Sequence, residues 1–199
     1  MKYIFLMLLN VALFASTQEA LSAYKNHNYK KAFKLYQEAA KSGDTTAQNA
    51  LSYLYFNGIG IEQNNEKGLK WLEKAASSDP VAAYDLGIMY LTGQNVVKDL
   101  KKAAKYLEVA ADNGNSEAQY NLALMYYNGD GVKQDVKKAA ALLEKAANNG
   151  HKAAKANVGR VYMQVLNFKK AKYWLQENVK DGDVRAAELL KEIEAAHKD

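Results

Sequence analysis

The chain has 199 residues, a formal charge of +5 and no cysteine. That length suffices for one ordinary domain with a real core, and the composition excludes disulfides, thiolate nucleophiles and cysteine-held metals. The cations are nearly all Lys, with Arg only at Arg160 and Arg185, and stretches such as "KKAFK" and "KKAAK" alternate with acids at helical spacing. Solvated helix faces account for them, and no nucleic-acid partner is expected, because base and phosphate readers lean on Arg.

Residues 1–16, "MKYIFLMLLNVALFAS", differ in character from the rest of the chain. Lys2 precedes an apolar run from Tyr3 to Phe14 that only Asn10 interrupts, and small residues follow at Ala15 and Ser16. This pattern predicts a cleaved secretory signal peptide, too short to span the ~30 Å of a bilayer core comfortably. The expected location is periplasmic or secreted, with no membrane span after cleavage.

From residue 17 the chain repeats itself. The first Ala of each pair in "YQEAAKSGD", "LEKAASSDP", "LEVAADNGN" and "LEKAANNGH" falls at Ala39, Ala75, Ala110 and Ala146, spacings of 36, 35 and 36. Parallel ladders run through Ala47, Ala82, Ala118 and Ala154, through Tyr55, Tyr90, Tyr126 and Tyr162, and through Gly58, Gly93 and Gly129. Each unit reads as two helices. The first carries "AQNALSYLYF", "AAYDLGIMYL", "AQYNLALMYY" or "AKANVGRVYM", with apolar residues at i, i+4 and i+8 on one face. The second sets small residues (Gly68, Ala103, Ala139) before large ones (Trp71, Tyr106, Leu142), so that neighbouring helices can interlock. Gly in "SGD", "DNGN" and "NNGH" ends helices at positive φ, and Pro80 after Asp79 starts one. The repeats fill residues 17–183, and residues 184–199, "VRAAELLKEIEAAHKD", form a closing helix that caps the open end.

These ladders resemble the Sel-1-like repeat family, relatives of tetratricopeptide repeats with a longer loop inside each helical hairpin. The resemblance covers roughly residues 20–182. It implies an all-α fold, a right-handed α-solenoid of antiparallel helix pairs. Both ends depart from the pattern: Tyr24 reaches Ala32 in eight residues and Tyr162 reaches Ala171 in nine, whereas Tyr126 reaches Ala139 in thirteen. The terminal hairpins are therefore expected to have short loops.

Candidates for chemistry are weak. His27, His151 and His197 belong to different units without ligand-like spacing, so no metal and no cofactor are expected. "SAYK", Ser22 to Lys25, matches the S-x-x-K of penicillin-interacting serine enzymes but lacks both companion motifs. A cysteine-rich branch of the family carries a β-lactamase label, and this chain lacks those cysteines. No activated nucleophile stands beside an orienting base, so no enzyme and no catalytic residue are expected. The stretch "YYNGDGVKQD", residues 126–135, looks like an ion-binding loop. Its counterparts "YLTGQNVVKD" and "YFNGIGIEQN" lack the acid of Asp130. It reads instead as the turn between two helices, its Gly, Asn or Gln taking positive φ.

In tetratricopeptide-like hairpins, the first-helix positions six before, two before and one after each ladder Tyr line the concave surface. Here they are Asn49, Tyr53 and Phe56; Tyr84, Ile88 and Leu91; Tyr120, Leu124 and Tyr127; then Ala156, Arg160 and Met163. Two readings stay open. These residues form an exposed aromatic groove for a peptide or protein partner, or tight curvature closes them into the core. The expectation taken forward is a monomeric, exported, non-catalytic scaffold with that groove. A β-lactam or cell-wall peptide hydrolase and an immunity-type protein that neutralises an effector are the alternatives.

Overall fold

The computed structural model describes residues 16–196. Residues 1–15, most of the segment expected to be a signal peptide, and His197 lie outside the described residues. Helix α1 runs over 16–25, followed by α2 (Tyr29–Lys41), α3 (Thr45–Asn57), α4 (Asn65–Ala76) and α5 (Pro80–Thr92). Next come α6 (Leu100–Asp112), α7 (Ser116–Asn128), α8 (Val136–Asn148), α9 (Lys152–Gln164), α10 (Phe168–Lys180) and α11 (Val184–Ala196). Among the described residues there is no strand. The fold is an all-α solenoid of helix pairs, and none of the described helices is long and apolar enough to cross a membrane.

The boundaries follow from capping. Asn28, Asp44, Asn64, Asp79, Asp99, Asn115, Asp135 and Asn167 each accept a hydrogen bond from a backbone N–H in the first turn of the helix they precede. This satisfies donors that have no intrahelical partner. Pro80 opens α5 after Asp79. Loops inside the middle hairpins put Gly58, Gly93 and Gly129 at the left-handed C-cap. Two residues later Gly60, Asn95 and Gly131 also have positive φ, whereas Gln94 does not. At the two ends the loops shrink to three residues, 26–28 and 165–167, and His27 and Leu166 take the left-handed conformation there.

The described helices divide into two compact units, α1 to α5 and α6 to α11, with the boundary between Lys98 and Asp99. In the first unit α2 packs on α3, α3 on α4 and α4 on α5; in the second the same holds from α6 through to α11. The Ala ladder lets them approach: Ala39, Ala75, Ala110 and Ala146 are within 1% of full burial, as are Ala47, Ala82, Ala118 and Ala154. Leu51 and Leu86 in the first unit, and Leu107, Leu122 and Val158 in the second, fill the space between them. Of the ladder tyrosines, Tyr55, Tyr90 and Tyr162 are buried and Tyr126 half-buried; among the large second-helix residues Leu142 and, on α10, Trp174 are buried, while Trp71 and Tyr106 are half-buried. Helix α11 closes on α10 through Ala186 and Ile193.

Consecutive hairpins are also clamped by a polar contact at the tip of the ladder Tyr. In the first unit the Tyr90 hydroxyl donates to Glu73 Oε1 at 3.2 Å. In the second, Lys138 Nζ joins Glu108, at 3.1 Å, to the Tyr126 hydroxyl, at 2.6 Å. The fullest version centres on Glu144, which accepts from Tyr162 (2.6 Å), Lys170 (2.5 Å) and Trp174 Nε1 (3.5 Å). Burial works to raise the Glu144 carboxyl, but the Lys170 ammonium and the Tyr162 hydroxyl outweigh it and hold the group below the ordinary carboxylate range. Burial and that same carboxylate push the Tyr162 phenol up to about 12.

A carboxyl depressed in the folded state contributes stability that is present above its unfolded pKa, about 4.3, and lost as pH falls through the folded value. Glu144→Gln is therefore expected to cost about 1–2 kcal/mol at pH 7, the scale of a charge-assisted hydrogen bond discounted for partial exposure. In urea denaturation that penalty should shrink toward zero below pH 4. An equal penalty at both pH values would contradict the assignment.

Candidate functional site

Each unit presents a first-helix face of its own. In the first unit Tyr53, on α3, is 52% exposed, and Tyr84, Ile88 and Leu91, on α5, are half-buried. Asn49 is half-buried and its Nδ2 donates to Asp85 Oδ2 at 3.5 Å. Phe56 departs from the expected groove. It is 7% exposed, with its ring against α4, so close that a Cβ on Gly68 would lie 2.9 Å from two ring atoms. The missing Cβ of Gly68 opens the slot, and the ring belongs to the core.

Two adjoining cavities open on this face. One, of about 360 Å³, is lined by Tyr24, Tyr36, Asn49, Tyr53 and Asp85 among others. The second, of about 370 Å³, lies between Tyr53, Phe56, Tyr84, Asp85 and Ile88. Asp85 and Asn49 border both.

In the second unit Leu124 is 39% exposed and Tyr127 half-buried. Together with Arg160, Asn157 and Gln164 they line a cavity of about 340 Å³. The Arg160 guanidinium donates to the Asn157 side chain. Met163 is half-buried and Ala156 exposed. The Tyr120 ring is already engaged, stacked on His151 with centroids 4.3 Å apart and planes 19° from parallel. His151 in turn caps α9, its Nδ1 accepting from the Ala154 N–H at 3.1 Å while Nε2 lies 3.2 Å from Glu117. A ring nitrogen that accepts from a backbone N–H carries no proton, so Nε2 donates to the Glu117 carboxylate. His151 thus replaces the Asn or Asp that caps the other helices.

The loop at 126–135 spends its polar groups on itself. Asn128 donates to Asp130 at 3.1 Å, Gln134 donates to the Tyr127 carbonyl at 2.8 Å, and Asp135 caps α8. Ser22 and Lys25 of "SAYK" are both exposed on α1, with half-buried Tyr24 between them packed against the core. His27 sits in the loop after α1, where Nδ1 meets the Tyr29 hydroxyl at 2.8 Å. Among the described residues no three of His, Cys, Asp and Glu are grouped as metal ligands.

Asp85 is the residue that sequence reasoning passed over. Its register in the other repeats is filled by Ala50, Asn121 and Asn157. An acid at that position is an exception in the ladder, and the exception was there to be read.

The family model described as Sel1 repeat matches residues 23–44, 45–79, 80–115 and 116–151. A comparison with curated proteins returned no match. Among solved structures, the chain is similar to a protective antigen of uropathogenic Escherichia coli strains that displays an SLR fold. That pair has 24% identity and a TM-score of 0.77, over 89% of this chain and 40% of the antigen. It is also similar to a Sel1 repeat protein from Oxalobacter formigenes, with 27% identity and a TM-score of 0.72, over 87% of this chain and 74% of that one. The chain thus spans less than half the length of the antigen.

Proposed function

Because the chain belongs to the Sel1 repeat family, we propose that this repeat scaffold binds a peptide or protein segment on the first-helix faces of its hairpins. One observation carries the reading. On that face each unit leaves large apolar side chains open to solvent beside a cavity, Tyr53 in the first and Leu124 in the second. Aromatic and aliphatic surface set against a cavity is what an extended segment can fill with alternate side chains. Fold alone does not choose the partner. The reading includes export, for which the leader character of residues 1–16 speaks, and action as a monomer.

Selection from a random peptide display library tests it. The residues to change are Tyr53, Leu124 and Tyr127, all to Ala, because Phe56 and Tyr120 are engaged in packing. Peptides enriched on the native chain are expected to bind the triple variant at least tenfold more weakly, with little change in melting temperature. Enriched peptides that bind both proteins equally would sink the proposal.

A further inference from the structure

The cavity of the first unit has a chemistry of its own. Three phenols (Tyr24, Tyr36 and Tyr53), contributed by α1, α2 and α3, surround it, and the Asp85 carboxylate enters from α5. Asp85 is half-buried, and its hydrogen bond is the long one from Asn49. No Lys, Arg or His among the described residues lies within ion-pair distance of it. The other charge it feels is that of Asp79, of the same sign, and burial pushes its carboxyl up. Tyr24 is likewise raised, by burial and by the Tyr53 hydroxyl beside it, and Tyr36 by burial, Tyr24 and Asp44. Every polar group facing the cavity is thus neutral or anionic, in a chain whose net charge is +5.

A half-buried carboxylate without a cation costs stability unless something supplies the charge. The other three repeats avoid the cost with Ala50, Asn121 and Asn157. Aromatic faces favour the same kind of guest, since the ring quadrupole attracts cations within about 6 Å. We infer that this cavity takes a basic side chain, lysine or arginine, of a peptide bound to the first-helix face, with Asp85 as counter-ion and Tyr24, Tyr36 and Tyr53 as its walls. The inference rests on the reading of that face as a peptide site. It adds what the face selects: a cationic residue at one position of the bound segment.

Asp85→Asn keeps the shape and removes the charge. The variant is expected to melt at the same temperature as the native chain or higher, because no ion pair is lost. The peptide library selected on the native chain should be enriched in Lys or Arg at one position. The same library selected on Asp85→Asn should lose that enrichment, and lysine-bearing peptides should bind the variant roughly tenfold more weakly, as expected when a charge-assisted contact goes.

Enriched peptides without a basic position would overturn the inference and leave the peptide-binding reading standing. If no peptide is enriched at all, that reading falls, and n-butylammonium then decides the cavity alone. Followed by NMR at the Asn49 side-chain amide, saturable shifts in the native chain that vanish in Asp85→Asn support a cation site. Shifts with 1-butanol of equal size, or with calcium ions only, overturn it.

Discussion

Replacing Phe56 by Ala is expected to lower stability by about 3–5 kcal/mol, the cost of emptying a buried aromatic site that cannot fully collapse. The ring lies in the slot left by Gly68 and is 7% exposed, so its loss leaves a space inside the packing of α3 on α4. Three residues earlier on the same helix, Tyr53→Ala should cost less than about 0.5 kcal/mol, because that side chain is half in water. The two residues were equivalent candidates for one groove on spacing alone. Thermal or urea denaturation of both variants separates them. If Phe56→Ala melts near the native temperature, the slot at Gly68 is not where the ring's energy comes from. Gly68→Ala gives the complementary reading. A Cβ 2.9 Å from the ring must push Phe56 outward, and the variant should lose stability although alanine favours helix.

The second large effect is expected in the loop at 126–135. Gly131→Ala should cost about 3 kcal/mol or more, from two sources. Its φ of +69° is a left-handed conformation, which a Cβ makes unfavourable by ~1–2 kcal/mol. The Cβ would also lie 2.4 Å from the carbonyl carbon and oxygen of Leu100, at the start of α6, so backbone must shift. Gly129, two residues earlier, has φ +83° but only an ordinary contact at 3.4 Å to Gln134. Gly129→Ala should therefore carry the conformational cost alone, about half as much or less. Equal losses for the two variants in urea denaturation would refute the close approach to Leu100. Gly60 makes the same approach to the Tyr29 carbonyl in the first unit, at 2.3 Å. The second glycine of the loop is thus a docking point onto the preceding hairpin, a packing reason for its place in the sequence.

Much of this fold was legible because repetition makes a sequence its own comparison. Ladders at 35 and 36 residues locate the buried alanines, and all eight named Ala positions are buried. Loop length followed from the distance between Tyr and Ala, and the three-residue turns occur at both ends as that count implied. Of the N-caps, the sequence reading identified Asp79 before Pro80, while the structure adds the other Asn and Asp caps. His151 was the exception: a histidine cap carries no sequence signature, and only the stacking of Tyr120 upon it shows that both rings are committed.

What the sequence by itself determined is the architecture: helix pairs of fixed length, their small-residue seams and their turns. Each depends on contacts within a repeat or between adjacent repeats, and these recur at every period. Tertiary structure alone decided which side chains of one register face water. Phe56 sinks and Tyr127 stays half open, although both follow the ladder Tyr, because Gly68 stands where the later repeat has Ala139. It also decided that Asp85 meets Tyr24, a residue 61 positions away, in one cavity. Exposure and electrostatics depend on the particular neighbours across two helix layers, and the period, which averages over them, cannot carry that information.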